Sequence, residues 1–449
     1  MTEGLQRSVA RTHAFEPLRV DGTVPDGLRG TLFRTGPGLL ERFGKRLLHP
    51  FEADGAITAV RFGDDVRGAC RIVEGPRYRE EQAAGRPLYG STAPWLRRIG
   101  NRFKNRGKAT GNTSTLVWQD RLFALMEGNL PVEMAQADLS TIGKTDLGLL
   151  PSSFSAHPHR VPSLETTFNF GLRYDRDMHV DLFALPDRGE PRQIGTFEGP
   201  WSSLVHDFVA TEKHLVFIIG PAKMVLWKIL LGFRDFSQFF QWEPSLGCEV
   251  VVVPLDALDA PIRFGVDPFW IWHFANGFER DGEVVLDACQ YPDLDSLVAI
   301  ADDEADIAPS TLWRLRIDPA KKTLRSEEVW AHVCEFPTVH PASVGTAHDS
   351  VFVYAETDRQ FEVAVVNPGS GDAAIWRAPD GHLGAEPIFV PRSAADRDGW
   401  LLTLVQDPEP DLSYLAVLDA QRLEDGPVCR AWFDHPIPRT FHGAWSQSV

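Results

Sequence analysis

The chain has 449 residues, of which 43% are hydrophobic, enough for one large domain or for two or three of average size. Its formal net charge of −17 argues against nucleic acid as the main partner. The five cysteines form no C-x-x-C pair, and we find neither an apolar leader nor an apolar run long enough to span a membrane. The sequence therefore predicts a cytoplasmic protein with reduced thiols.

Short strand-like runs bounded by turn formers dominate the chain. Examples are the runs Glu249 to Val253, Glu283 to Leu286, Ser350 to Tyr354 and Leu401 to Val405. Asp-Gly pairs recur between such runs, and the pair at 281–282 predicts a tight hairpin within Phe278 to Leu286. This pattern predicts an all-β fold, and by itself it leaves barrel, sandwich and propeller open.

Two stretches interrupt the β pattern. Residues 94–108 carry six basic residues and no acidic one, and residues 221–242 are rich in apolar and aromatic side chains. Together they have the composition of a peripheral membrane contact. The alternative is that 94–108 is solvated surface and that 221–242 packs inward as helical core.

Four histidines lie far apart, each in a sequence typical of a strand end or tight turn: His157, His206, His273 and His442. A zinc finger draws its ligands from one short element, whereas these side chains must come from four parts of one fold. A propeller can bring such residues together, because each blade sends one side chain toward the axis. Four neutral imidazoles suit a borderline metal such as Fe(II), Zn or Cu.

The local sequences around these histidines resemble, in order, the iron-ligand segments of the carotenoid cleavage oxygenases. They are Phe154-Ser-Ala-His-Pro, Leu204-Val-His-Asp-Phe, Trp272-His-Phe-Ala-Asn and Thr440-Phe-His-Gly. The resemblance extends from Gly22-Thr-Val-Pro-Asp-Gly-Leu-Arg-Gly-Thr to the C-terminal motif. It implies a seven-bladed β-propeller with a cap of loops and short helices over the iron face. We expect residues 1–449 to form one domain, with cap insertions near 75–110 and 221–245.

The resemblance also implies a metal centre. It assigns His157, His206, His273 and His442 as ligands of one Fe(II) per chain. Three glutamates match the residues that hydrogen-bond such ligands in the family: Glu127, Glu335 and Glu386. Carboxylates in this position fix the imidazole tautomers and offset the charge of the metal. His159 is expected to be a pocket or loop residue and not a ligand, and His49 matches a family segment in which it does not bind iron. The remaining histidines lack a comparable context.

The implied reaction is cleavage of a C=C bond by O2 into two carbonyl products, in a largely apolar tunnel. Aromatic residues near the ligands are candidates for its wall: Phe154, Phe208, Trp270, Trp272, Phe274 and Phe441. The favoured substrate is a carotenoid or apocarotenoid, with a stilbene or phenylpropene as the alternative. Stilbene cleavers of the family usually have a lysine where this chain has Met126, and this difference favours a polyene.

Two other functions remain as hypotheses: isomerohydrolase chemistry on a retinoid ester, and a carotenoid-binding protein that has lost activity. The presence of all four histidines and all three glutamates gives little support to the second. In the family an apolar patch at the tunnel mouth contacts lipid. We therefore expect peripheral membrane contact through 221–242 and 94–108.

Overall fold

The fold is a ring of seven antiparallel sheets. The computed structural model describes residues 7–104, 106–149, 153–174, 177–302, 305 and 307–448, so Asn105 of the basic stretch lies outside the described residues. Within these residues seven sheets follow one another along the chain, which confirms the seven-bladed all-β propeller. We number them blades 1 to 7 in chain order.

Blades 1 to 4 occupy the first part of the chain. Blade 1 consists of His13–Pro17, Gly30–Leu39, Asp54–Phe62, Val66–Ile72 and Gly443–Ser446; blade 2 of Ser114–Trp118, Arg121–Leu125, Val132–Met134 and Thr141–Lys144; blade 3 of His159–Val161, Thr166–Tyr174, Met178–Pro186 and Arg192–Glu198; blade 4 of Val209–Ala210, His214–Ile219, Cys248–Pro254 and Ile262–Val266.

Blades 5 to 7 complete the ring. Blade 5 consists of Trp270–Arg280, Glu283–Tyr291, Thr311–Asp318 and Thr323–Trp330; blade 6 of Cys334–Thr338, Val351–Thr357, Gln360–Val366 and Ala373–Arg377; blade 7 of Arg19–Gly22, Leu383–Gly384, Ile388–Pro391, Gly399–Asp407, Leu412–Asp419 and Pro427–Trp432. Two small ribbons pair Glu41–Arg42 with Lys45–Arg46 and Ala222–Met224 with Phe240–Trp242.

Both ends of the chain close the ring. The C-terminal strand Gly443–Ser446 pairs with Gly30–Leu39 in blade 1, and the N-terminal strand Arg19–Gly22 pairs with Pro427–Trp432 in blade 7. Each of these two blades thus combines strands from opposite ends of the sequence. These pairings join the first and last blades of the ring, while each blade keeps an outer edge strand.

Apolar side chains fill the spaces between neighbouring blades. In the strand Cys248–Pro254, Val250 and Val252 pack against blade 5, while Val251 and Val253 pack against blade 3. Because side chains alternate between the two faces of a strand, a strand buried on both faces reads as a continuous apolar run. The five cysteines are buried and free, as the sequence predicts.

The predicted hairpin is present. Residues Arg280 and Glu283 pair across a two-residue turn, in which Asp281 has φ +53° and Gly282 has φ +84°. Positive φ at both central positions is the type I′ geometry that matches strand twist, and Asp-Gly favours it.

Helices are few and lie mainly in the insertions between strands. Within the described residues the α-helices are α1 (Pro76–Ala84), α2 (Trp95–Phe103), α3 (Leu226–Leu230) and α4 (Ser296–Ala299). Short 3₁₀ helices cover Pro50–Glu52, Pro162–Leu164, Phe236–Phe239, Pro244–Leu246, Pro341–Ser343 and Leu423–Asp425. None of the helices in this part of the chain combines the length and the hydropathy that a membrane crossing needs.

Candidate metal centre

Each blade contributes one side chain to a cluster at the centre of the ring. His157 and His206 lie in the loops shortly before the first strands of blades 3 and 4, His273 lies within the first strand of blade 5, and His442 directly precedes the strand Gly443–Ser446 of blade 1. The three predicted glutamates come from the other blades, namely Glu127 from blade 2, Glu335 from blade 6 and Glu386 from blade 7.

The four imidazoles converge on one point. Their candidate ligand atoms all lie within 4.8 Å of one another, and the four residues are buried. Metal–nitrogen bonds of about 2 Å place ligands on opposite sides of one ion about 4 Å apart, so the cluster has the dimensions of a mononuclear site. The structure thus brings together the four histidines that the sequence predicts.

Three of the imidazoles are held through Nδ1 by a carboxylate. Glu127 contacts Nδ1 of His206, Glu335 Oε2 lies 2.5 Å from Nδ1 of His273, and Glu386 Oε1 lies 3.0 Å from Nδ1 of His442. A proton on Nδ1 leaves Nε2 as the free lone pair in each of these rings.

His157 differs from the other three. Its Nε2 is buried and has no hydrogen-bond partner among the described residues, the closest carboxylate oxygen being that of Glu127 at 4.0 Å. A buried imidazole nitrogen without a partner is costly unless something binds it. A metal ion bound by the four imidazoles would give this nitrogen a partner, and four nitrogen donors suit such an ion.

Electrostatics keep two of these rings neutral. Burial, together with repulsion from the neighbouring imidazoles, lowers the pKa of His157 well below its usual range. Burial also lowers the pKa of His442, although Glu386 opposes the shift. Neutral imidazole is the form that binds metals.

His273 shows the opposite shift. Burial by itself would lower its pKa, but attraction and hydrogen bonding from Glu335 outweigh burial and raise it. Likewise, burial would raise the pKa of Glu386, but attraction to His442 and Arg34 outweighs burial and lowers it. The carboxylates therefore stabilise a positive charge in the centre.

The loop of His206 is fixed by the residue that follows it. Asp207 accepts hydrogen bonds from the backbone N–H groups of Phe208 (2.8 Å) and Phe274 (2.9 Å), and its Oδ1 lies 2.8 Å from Nε2 of His159. It thereby ties the backbone beside His206 to the backbone beside His273. His159 is the first residue of a strand in blade 3, not a loop residue, and it contacts Asp207 rather than the cluster.

A largely apolar cavity opens onto the histidine cluster. Its wall contains three of the four histidines, one glutamate, and residues of blade 5, α4 and the C-terminal segment. They are Phe51, Thr113, His206, Trp272, His273, Tyr291, Ser296, Ala299, Ile300, Ile307, Glu335, Phe336, Phe441 and His442.

Of the aromatic residues expected to line a tunnel, Trp272 and Phe441 lie in this wall. Four others pack in hydrophobic clusters instead, as ordinary core: Phe154, Phe208, Trp270 and Phe274. The sequence motifs place these residues near the histidines but do not indicate on which face of the strand each lies.

Two wall residues were missed although they adjoin predicted positions. Phe51 lies two residues after His49, whose Nδ1 accepts from its backbone N–H at 3.2 Å. Phe336 follows Glu335, stacks on the ring of His273 at a centroid distance of 5.0 Å, and has φ +52°. Positive φ in a bulky residue is strained, and such strain is typical of functional sites.

Comparison with known proteins finds relatives that match most of the chain. The family model described as retinal pigment epithelial membrane protein (RPE65) matches residues 7–447. Apocarotenoid-15,15'-oxygenase of Synechocystis sp. is 33% identical over 96% of this chain and 92% of the relative. Isoeugenol monooxygenase of Pseudomonas nitroreducens is 25% identical over 95% of this chain and 94% of the relative.

A solved structure has the same architecture. The crystal structure of cobalt-substituted Synechocystis ACO superposes with a TM-score of 0.91 at 32% identity, covering all of this chain and 98% of that one. The cobalt in that protein agrees with a metal site in this fold.

Replacing His273 by alanine should abolish metal retention, because its ring is held by Glu335 at the centre of the cluster. Metal content after purification and dialysis measures this. His332→Ala is the matched control, since His332 pairs with Glu362 in blade 6, and it should retain metal. Normal metal content in His273→Ala would show that His273 is not a ligand of the metal.

Replacing Glu335 by glutamine should weaken metal affinity or turnover by roughly 10–100-fold while preserving the fold, because the imidazole of His273 loses its charged partner. Competition titration against a metal chelator gives the affinity, and circular dichroism checks the fold. An affinity and a rate both equal to those of the wild type would show that Glu335 does not orient His273.

Proposed function

The chain belongs to the RPE65 and carotenoid oxygenase family, and from this premise we propose that it is a non-haem iron dioxygenase acting on a carotenoid or apocarotenoid. The reaction cleaves one C=C bond with O2 and gives two carbonyl products, so that each new carbonyl receives one oxygen atom. The observation that carries this proposal is the convergence of four buried imidazoles, three of which lie in the wall of an apolar cavity.

In this proposal His157, His206, His273 and His442 hold one Fe(II) per chain. Iron(II) bound by four neutral nitrogens supplies the activation of dioxygen. Glu127, Glu335 and Glu386 hold the Nδ1 protons of three of the rings, which directs their Nε2 atoms inward. The alkene supplies the electrons for the reaction, so no organic cofactor is required.

The cavity wall positions the substrate and excludes water. Phe51 packs edge-to-face against Trp272 and Phe441, with ring centroids 6.4 and 5.7 Å apart, so the three rings form one continuous apolar surface. Trp272 is oriented by its indole N–H, which donates to Ser296 of α4 at 2.7 Å. A rigid apolar surface of this kind suits a long hydrocarbon chain better than a polar substrate.

The environment of Met126 favours a polyene over a phenol. Its sulfur accepts hydrogen bonds from the backbone N–H of Thr110 at 3.0 Å and from the Thr110 hydroxyl at 3.2 Å. The side chain is thus held by Thr110, and a thioether has no proton to donate to a phenol oxygen. The isoeugenol monooxygenases among the relatives make the phenylpropene the second candidate substrate.

We further propose that the protein contacts a membrane through an apolar patch on α2 and α3. The patch consists of Trp95, Leu96, Phe103, Leu226, Trp227, Leu230 and Leu231, which are 49–75% exposed. The two segments are joined, because the indole of Trp95 donates to the Leu231 carbonyl at 3.0 Å and Arg98 donates to the Gly232 carbonyl at 2.9 Å. Large apolar side chains exposed together are typical of interaction surfaces.

Charge and connectivity support a lipid partner. Within the basic stretch, Arg102, Lys104 and Arg106 are exposed next to Phe103 of the patch, in a chain whose net charge is −17, so they would face an anionic lipid headgroup. Lys108 instead pairs with Asp54 and Glu81.

The second half of 221–242 turns inward, where Phe236 and Phe240 pack beside Trp272. The segment 221–242 therefore runs from the patch to side chains that pack against the cavity wall. We accordingly propose a cytoplasmic protein with peripheral membrane contact, and five buried free thiols agree with that compartment.

The substrate is tested by incubating the iron-loaded protein with an apocarotenal or a hydroxystilbene under ¹⁸O₂. We expect polyene aldehydes that carry the label, detected by mass spectrometry, and their masses identify the cleaved bond. Labelled hydroxybenzaldehydes would show that the substrate is a phenol. Turnover of a retinoid ester, supplied as a third substrate, without consumption of O2 would instead indicate isomerohydrolase chemistry.

Introducing a charge into the patch should weaken vesicle binding. Leu96→Glu or Trp227→Glu should reduce co-sedimentation with anionic phospholipid vesicles by about tenfold or more, because each replaces a large exposed apolar side chain that would insert into the lipid by a charged one. Ile142→Glu is the matched control, since Ile142 is 59% exposed on blade 2, away from the patch. Equal losses in all three variants would argue against a specific contact through α2 and α3.

A further inference from the structure

Arg34 is a buried arginine next to the histidine cluster. It lies in the strand Gly30–Leu39 of blade 1, and only 1% of its surface is exposed. Its Nη1 donates to Oε2 of Glu386 at 2.8 Å and to the Glu386 carbonyl at 3.0 Å. Its Nη2 donates to the Phe441 carbonyl at 2.8 Å and its Nε to the Thr440 hydroxyl at 3.0 Å.

These contacts connect a permanent positive charge to an imidazole of the cluster through a single residue, Glu386. The other oxygen of Glu386 lies 3.0 Å from His442, so one carboxylate joins the guanidinium to the ring. An arginine side chain stays protonated in proteins, even when buried. The charge of Arg34 is therefore a fixed property of the centre.

The other two carboxylates have no such partner. Within the described part of the chain, the ion pairs of Glu127 and Glu335 are formed only with imidazoles of the cluster. Glu335 also accepts a hydrogen bond from the backbone N–H of Phe336 at 2.6 Å. Asp207, the next buried acid, is satisfied by two backbone N–H groups and His159.

The groups in contact with the imidazoles thus carry three negative charges, and Arg34 neutralises one of them. The remaining charge of −2 matches a divalent ion held by neutral imidazoles. A trivalent ion would leave an excess positive charge in a buried site, where charge is poorly screened. Without Arg34 all three carboxylate charges would remain, and together they would instead match a trivalent ion.

We propose that Arg34 balances the charge of this centre so that it prefers a divalent to a trivalent metal ion, and thus holds iron in the Fe(II) state. The inference rests on the proposed function, in that the four histidines bind iron. Arg34 is a positioning residue, because it acts through Glu386 and His442. For a dioxygenase that needs Fe(II), this would protect the centre against one-electron oxidation in air.

The test is the midpoint potential of the iron couple, titrated with ferricyanide, which accepts the single electron that Fe(II) loses. In Arg34→Met the ratio of Fe(III) to Fe(II) affinity should rise tenfold or more, which is a fall of about 59 mV for a one-electron couple. Arg34→Lys keeps the charge and should stay near the wild-type potential. Equal shifts in the two variants, or no shift in Arg34→Met, would overturn the proposal.

Loss of Arg34 leaves Glu386 buried without its cation, which could prevent folding. The double variant Arg34→Met with Glu386→Gln avoids this problem, because it removes both members of the buried ion pair. Glu386→Gln removes one negative charge and should raise the potential, and Arg34→Met combined with Glu386→Gln should restore it toward that of the wild type. A double variant that stays at the potential of Glu386→Gln would overturn the proposal.

The outcome for the wild type separates the two proposals. A wild-type protein that binds no iron would refute both the proposed function and the role of Arg34. A wild-type protein that binds iron and cleaves the substrate, combined with an unshifted potential in Arg34→Met, would refute only the role of Arg34.

Discussion

Closure of the propeller ring is the constraint on which the rest of the structure depends. A histidine cluster assembled from blades 1, 3, 4 and 5 exists only if every blade keeps its place around the axis. The strand Gly443–Ser446 secures the last of these positions, because it pairs with blade 1 immediately after His442. Arg34 also holds this segment, through the carbonyl of Phe441. The contacts that close the ring therefore also position the imidazole of His442.

Rigidity of the centre follows from how the blades pack. Hydrophobic clusters fill the space on both faces of a blade, as for blade 4 between blades 3 and 5, so a blade cannot shift without opening a cavity. On this frame, each carboxylate holds a ring by a single atom, and Asp207 ties two ligand loops together. The strained backbone of Phe336 is tolerated because its ring is packed between His273, His442 and Tyr354.

The cap connects the centre to the surface of the protein. The segment 221–242 is divided, since the side chains of α3 are largely exposed and the second half of the segment packs inward beside Trp272. Composition could not separate these halves, because exposed and buried aromatic residues read alike in a sequence. Their division depends on contacts with α2 and with the cavity wall, which come from distant parts of the chain.

The sequence by itself determined the all-β class, the hairpin at Asp281-Gly282 and, through its motifs, the residues that meet at the centre. These features depend on local chemistry, namely turn geometry, strand-like runs and residue type. Tertiary structure decided the rest, because it depends on contacts between distant residues. A run such as Val250 to Val253 reads the same in a sandwich and a propeller, since both bury the two faces of a strand. Arg34 looks like any polar residue of a strand, and only its approach to Glu386, 352 positions away, makes it part of the centre.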